Sequence, residues 1–393
     1  MTSYLVRLAQ QLLWLPLCLI GLIYPRNEKL WVFGAWHGRQ YSDNTCYLYR
    51  YVRDNVPELR AVWLSRDPQL VDQVRAEGGE AALAYSLRGI LISLRAGVFL
   101  VTHSSEDVNA HASLGGRLIN LTHGTPLKRF GRDARSTRIG KLTVFFDQYL
   151  RRILPGKRRP DQVLVASEVG RLRMISAFGL PPERVKAFGF PRWNAFRANA
   201  AELLSREGIE ASDYKGILLY APTLRMQGKG RLDVAQGDRL MSLLGWLEQN
   251  RLLLLIRGHT SLNMVGVEEL VRSSLSIREV PITRIPDVNA LLPAIDILIT
   301  DYSSLMFDYA CLKRPIILMA PDLDEYQHRD VGIYGDYLHD SPGPVISYWS
   351  QLPEAWEDIQ KGEYDAKLEN FLNKHGVLYD DHVCNRIMNH LRA

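Results

Sequence analysis

The chain has 393 residues, room for two domains of ordinary size at about 150 residues each. Its 47% hydrophobic and 23% charged residues supply real cores and exclude a disordered chain. The net charge of +5 is modest, and four scattered cysteines (Cys18, Cys46, Cys311, Cys384) show no Cys-x-x-Cys or Cys/His ligand spacing, which argues against a zinc site and a disulfide framework.

Residues 12–24 are almost wholly apolar. At 1.5 Å per residue they cover roughly 20 Å, short of the roughly 30 Å hydrocarbon core of a bilayer. Extending back to Leu5 reaches that length but takes in Arg7, Gln10 and Gln11, while Pro25 and Arg26 end the segment and no small-residue cleavage site follows. Residues 1–26 are therefore expected to form an uncleaved membrane-association helix that lies in or dips into the inner face of a membrane. A single-pass helix and a plain packing helix are the alternatives.

From residue 30 strand-like and helix-like pieces alternate. Strands are expected at 30–33, 60–64, 97–102, 117–121, 162–166 and 185–187, with helices at 45–55, 69–77, 87–96 and 169–178. This alternation predicts a doubly wound parallel sheet. A basic run from Lys128 to Arg159, with only Asp133 and Asp147 against it, suits nucleic acid, an anionic membrane surface, a phosphate-rich substrate or a solvated face. Residues 194–213 are polar and alanine-rich and read as a connecting helix and linker. A second series follows, with strands at 216–220, 252–256, 295–300 and 315–319, a helix at 240–248, and a helical tail at 369–374 and 382–391. The expected fold is α/β and GT-B-like: two doubly wound Rossmann-like domains, 27–200 and 201–393, facing a cleft.

Parallel sheets place ligand-binding loops at the C-terminal ends of their strands. His123, Thr223, His259 and Ser303 all fall there. Gly124 and Pro126 make a tight turn after His123, and a histidine held in it can take a proton from a hydroxyl near neutral pH, or merely cap the turn. Lys128 lies just beyond and could neutralise phosphate charge. Arg257-Gly258-His259 could hold a phosphoryl oxygen or protonate a leaving phosphate, or be a surface loop. Pro222, Thr223 and Arg225 combine a rigid turn with a hydroxyl and a guanidinium. Asp301, Ser303 and Ser304 open a turn before an apolar pattern at helical spacing, whose free N–H groups and dipole suit a diphosphate, unless Ser303 is only an N-cap. Asp308 could reach a polyol hydroxyl, orient a base or be a helix-surface carboxylate. His103, among Ser-Ser-Glu-Asp, reads as structural or peripheral. Asp322, Asp324 and Glu325 read as a solvated acidic loop. No Gly-x-x-x-x-Gly-Lys-Ser/Thr is present. Catalysis is expected to use arginines, helix ends and hydroxyls, with no metal and no cofactor.

The stretches His123-Gly124-Thr125-Pro126-Leu127-Lys128, Ala221-Pro222-Thr223-Leu224-Arg225, Arg257-Gly258-His259 and Thr300-Asp301-Tyr302-Ser303-Ser304-Leu305-Met306-Phe307-Asp308 occur in that order. Together they resemble the CDP-glycerol glycerophosphotransferase family, the teichoic-acid primases and polymerases. Gly189-Phe190-Pro191-Arg192 is similar to that family's Gly-x-Pro-Arg turn, and the resemblance covers most of the chain after about residue 30. It implies a protein held peripherally or monotopically at the cytoplasmic face of the cell membrane. It implies transfer of a polyol phosphate, glycerol phosphate first, from a CDP-activated donor to a hydroxyl of a lipid-linked glycan or polymer, releasing CMP. By carry-over His123 would be the general base and His259 would act on the diphosphate. Arg192, Pro222, Thr223, Arg257, Ser303, Ser304 and Asp308 would line the donor site, in a second domain that binds the CDP donor while the first serves the acceptor. Thr122 replaces a larger residue of the family pattern, and Gly258 and Thr260 flank His259 where proline is common. Pocket walls set which polyol fits, so glycerol and ribitol both stand. Two other readings are a nucleotide-sugar glycosyltransferase of the same fold and a non-catalytic capsule or wall-assembly protein that binds an anionic polymer. A nucleic-acid role explains none of the motifs.

Overall fold

The computed structural model describes residues 14–134, 158–223, 238–258, 274–329, 332–376 and 379–392. The chain divides into two units. The first comprises Met1–Gly124, Thr137–Arg192 and Leu378–Ala393, the second Thr125–Ser136 and Trp193–Val377.

The first unit is built on strands β1 (Asn27–Phe33), β2 (Arg60–Ser65), β3 (Glu80–Leu83), β4 (Ala96–Val101), β5 (Arg117–Asn120), β6 (Gln162–Val165) and β7 (Val185–Ala187). They form one parallel sheet in the order β3-β2-β1-β4-β5-β6-β7, with Val32 of β1 paired to Val62 on one side and to Phe99 on the other. Both faces are covered, so β4 is buried along its whole length and reads as an unbroken apolar run. The covering helices start where the sequence supplies caps. Asp67 accepts from the N–H of Gln69 before Pro68–Ala76, Ser86 from Gly89 before Leu87–Arg95, and Ser167 from Gly170 before Glu168–Phe178. The strand order reverses between β1 and β4, which opens a crevice at the C-terminal ends of those strands.

The second unit repeats the plan with β8 (Gly216–Tyr220), β9 (Leu252–Ile256), β10 (Ile277–Glu279), β11 (Ile297–Thr300), β12 (Ile316–Met319) and β13 (Val345–Ile346), in the order β10-β9-β8-β11-β12-β13. Residues alternate between two apolar layers. Leu219, Leu255, Leu298 and Leu318 point to one face, and Leu218, Leu254, Ile299 and Ile317 to the other. The order reverses here between β8 and β11.

Several expectations shift. The β11 strand starts at Ile297, because the Asp296 carboxylate turns aside to accept the N–H of Ile217 at 2.7 Å. Residues 194–213 hold the expected connecting helix, Ala200–Arg206, reached through a 3-10 turn over Pro191–Arg197, and its Leu204 is fully buried. The two units are not contiguous blocks. Residues 125–136 belong with the second unit, where Lys128 bridges Ile333, the N–H of Arg129 donates to the Gly332 carbonyl and that of Tyr334 to the Leu127 carbonyl. The last helix, Val383–Arg392, returns to the first unit. Its buried Val383, Ile387 and Leu391 form a helical stripe, Arg386 donates to the Phe188 carbonyl, and Arg392 pairs with Glu58.

The N-terminal helix Leu15–Ile23 is nine residues long and buries Cys18 and Gly21. Leu19, Leu22 and Ile23 face outward, Ile23 at 84% exposure. The Arg26 guanidinium fastens it to the unit by donating to the carbonyls of Gly21, Ser93, Ala96, Ala112 and Leu114. Among the described residues no helix is long and apolar enough to cross a membrane. Residues 1–13 of the expected membrane segment lie outside the described residues.

Candidate active site

In the first unit the loops that follow β1, β4 and β5 converge at the point where the strand order reverses. Gly34 ends β1 with its N–H on the Leu100 carbonyl, and a Cβ there would lie 2.3 Å from the Asp107 carbonyl oxygen, so only glycine fits. Trp36 and His37 follow with φ of 51° and 56°, Asp43 has φ 69° and Thr122 φ 52°. These are four of the six non-glycine residues with positive φ among the described residues, and such strain persists only where surrounding structure holds it, often at functional sites.

What holds it is a set of buried polar groups. The Asp107 carboxylate accepts the N–H of His37 at 2.7 Å and those of Thr102 and His103 at 2.8 Å, and the Thr102 hydroxyl at 3.1 Å. Burial pushes the Asp107 carboxyl above its usual range, and the three N–H donors oppose that shift. Arg192, 5% exposed, pairs with Asp43 at 3.0 Å and donates to the His123 carbonyl at 2.7 Å. Asn44 donates to the carbonyls of Leu121 and Thr122 and accepts the Arg192 N–H, and the Trp36 indole donates to Asp43 at 3.2 Å.

On this frame lie three histidines and a tryptophan. The rings of His103 and His123 stack with centroids 4.2 Å apart and planes 1° from parallel. Trp36 lies 4.5 Å from His103 and 5.8 Å from His123, and His37 lies 5.5 Å from His103. His123 keeps an exposed edge, yet loss of water around its ring lowers its pKa below the usual 6.5. Arg192 lowers it further, against the opposing effects of Asp43, the Thr102 carbonyl and Asp107. His103 is lowered to about 3, by burial first and by His123 next, with Asp43 opposing. Both rings are neutral at pH 7, and a neutral, partly exposed imidazole is a proton acceptor.

In the second unit the ends of β8 and β11 are locked together. Thr223 gives both its N–H, at 2.9 Å, and its hydroxyl, at 2.5 Å, to Asp301, which is 1% exposed. The Thr300 hydroxyl donates to the Ala221 carbonyl and the Tyr337 hydroxyl to the Asp301 carbonyl. Pro222 sits within this braced turn. Beside it Tyr302 stacks on Tyr326 with centroids 3.8 Å apart, and the Lys128 ammonium lies 5.2 Å above the Tyr326 ring. Tyr302 also donates to Asp322, so that carboxylate is engaged rather than simply solvated.

Other predicted residues are placed differently from the sequence reading. Arg192 was expected on the donor, but its guanidinium supports the His123 loop in the first unit. His103, read as structural or peripheral, is stacked on His123. Ser303 accepts the N–H of Leu305 at 3.2 Å, and Ser304 begins the helix Leu305–Ala310 without a side-chain cap. That helix has only six residues, so it offers far less dipole than the pattern suggested. Asp308 is 2% exposed and accepts the Trp193 indole N–H at 2.7 Å, so it is not a helix-surface carboxylate. Arg257 is buried and donates to the carbonyls of Val280 and Pro286. Burial lowers its pKa to about 10, with Asp287 opposing. Gly258 follows it. Gly124 closes the first segment of the first unit, and the buried Thr125, with Pro126 and Lys128, opens the segment that packs in the second. Arg225 and His259 lie outside the described residues.

The residues the sequence reading missed are Trp36, Asp43, Asn44, Thr102 and Asp107. Their only linear signal is position, since each lies at or just beyond the end of a strand or at the start of the following helix.

The family described as CDP-glycerol:poly(glycerophosphate) glycerophosphotransferase matches residues 17–392, and the chain belongs to it. It is 28% identical over 371 residues to the teichoic acid poly(glycerol phosphate) polymerase of Staphylococcus epidermidis, covering 88% of this chain and 48% of that one. It is 28% identical over 369 residues to the polymerase of the same name from Bacillus spizizenii, covering 91% of this chain and 90% of the relative. The chain thus spans about half the length of the staphylococcal protein and nearly all of the Bacillus one. A solved structure of the wall teichoic acid polymerase TagF, a histidine variant soaked with CDPG, is 25% identical with a TM-score of 0.74, over 95% of this chain and 91% of that one.

Proposed function

We propose that the chain transfers glycerol phosphate from CDP-glycerol to a hydroxyl of a membrane lipid-linked acceptor, releasing CMP, in the synthesis of a teichoic-acid-like or capsule polymer. Family membership and the glycerol-phosphate polymerases it is similar to support the donor and the reaction. The observation that carries the chemistry is His123, a neutral ring with an accessible edge at the end of β5, fixed by a stack and a buried ion pair beneath its loop.

His123 takes the proton of the acceptor hydroxyl as that oxygen attacks the phosphorus that bears the glycerol. The new O–P bond forms, the bond to the bridging oxygen breaks, and CMP leaves with the electron pair. The proton on His123 then passes to solvent. A positioned general base contributes about 10²–10⁴-fold. The two Rossmann-type sheets, each with a polar site where its strand order reverses, support a GT-B-like reading. The braced Thr223 turn suits the donor's phosphates. In this reading the protein works at the cytoplasmic face of a membrane, and contact with a lipid surface is supported by the outward Leu19, Leu22 and Ile23 of the clamped N-terminal helix.

The test is CMP release by the purified chain from CDP-glycerol with a membrane-lipid acceptor extract, run beside CDP-ribitol and UDP-sugars and beside His123→Ala. Release from CDP-glycerol that is lost in the variant supports the reading. UDP release from a sugar with no CMP from any polyol donor overturns it.

A further inference from the structure

We propose that His103 is a positioning residue for His123: it is the fixed ring against which the base is held, so that the proton-accepting nitrogen of His123 points in one direction. The inference rests on His123 being the base of the proposed reaction.

The hydrogen bonds define how His103 is held. The Thr102 hydroxyl has a single proton, and its 3.1 Å bond to the Asp107 carboxylate uses it. The 3.0 Å contact between that hydroxyl and His103 Nδ1 must then be Nδ1–H donating to oxygen. This fixes the tautomer of His103. Its N–H is bound by Asp107 and its carbonyl by the Asn120 side chain at 2.9 Å, so backbone and ring are both pinned. The His123 ring lies on this pinned ring, with centroids 4.2 Å apart, and Trp36 lies 5.8 Å from it. A ring stacked on a pinned imidazole, parallel to within 1°, has little freedom to rotate. The charged and titratable groups around the pair are Asp43, Asp107, Arg192, His37 and, paired to His37 at 3.5 Å, Glu106. Charging both stacked rings at once is disfavoured, and a second ring that stays neutral leaves the abstracted proton on His123.

The experiment measures CMP release from CDP-glycerol by wild type, His103→Ala and His103→Phe across pH, with a membrane-lipid extract as acceptor, alongside NMR titration of the His123 ring. His103→Ala is expected to lower kcat about tenfold or more with donor KM within about twofold, and to move the acid limb of the kcat profile toward the unperturbed histidine value. His103→Phe restores a flat ring and recovers most of kcat. An unchanged kcat and acid limb in His103→Ala, or a His103→Phe as impaired as the alanine variant, overturns the proposal. If wild type releases no CMP, the reaction reading fails and the titration alone decides. His123 titrating alike in wild type and in a folded His103→Ala then overturns the positioning role, and a shift toward the unperturbed value supports it. Circular dichroism verifies folding, and Thr102→Val, which removes the hydroxyl that holds His103, is expected to shift the titration the same way.

Discussion

The indole N–H of Trp193 reaches the carboxylate of Asp308 at 2.7 Å, and both side chains are buried. A carboxylate that a motif reading assigns to the substrate is thereby tied to the turn in which Trp193 sits. Trp193→Phe removes the donor and leaves the carboxylate short of a hydrogen bond. It is expected to destabilise the second unit by about 1.5–3 kcal/mol, the range for hydrogen bonds to charged groups. Urea unfolding followed by tyrosine and tryptophan fluorescence measures this, and an unchanged midpoint would refute the assignment.

Arg192 and Asp43 form a buried pair in the first unit. Removing one partner of such a pair costs about 3–5 kcal/mol because the other charge is left uncompensated. Arg192→Ala is expected to show that loss and to lower kcat through the His123 carbonyl it holds, with donor KM little changed. A large rise in donor KM at normal kcat and stability would instead return Arg192 to the donor.

Acid should weaken both activity and the fold. His123 and His103 have lower pKa values in the folded chain than the usual 6.5, so below that pH the unfolded chain binds more protons than the folded one. Their contribution to stability is complete above about 6.5 and is lost as pH falls below it, for His103 down to about 3. Urea midpoints at pH 7.5 and pH 5 should fall in that order for wild type and diverge less for His103→Phe. The kcat profile should be flat near neutral pH and drop on its acid side below 6.5.

Gly34→Ala should abolish folding of the first unit or activity altogether, since its Cβ would sit 2.3 Å from a backbone oxygen of the Asp107 loop. Soluble expression with wild-type unfolding and turnover would show that the loop yields more easily than its hydrogen bonds suggest.

The sheets were legible because strands buried on both faces leave little choice of residue. Leu252 to Ile256 and Gly97 to Val101 are apolar runs that surface segments rarely carry. His123 and Thr223 drew attention because loops at the C-terminal ends of parallel strands are where ligands bind, and both do lie just beyond such ends. The rest of the site depends on partners distant in sequence. His103 read as structural or peripheral among polar neighbours, and one of them, Asp107, is the carboxylate that fixes its loop. The left-handed turn at Trp36 and His37 has no glycine to announce it. Strands of two or four residues, such as Val345–Ile346 and Glu80–Leu83, are too short to show a period. The return of the last helix to the first unit rests on contacts such as Arg386 with Phe188, far apart along the chain.

The most direct test of the central claim is steady-state CMP release from CDP-glycerol, with the membrane-lipid acceptor, by wild type and His123→Ala at pH 7.5. Wild type is expected to turn over, and the variant to show a fall in kcat of about 10²–10⁴-fold at similar donor KM. Equal turnover by the two proteins would contradict it.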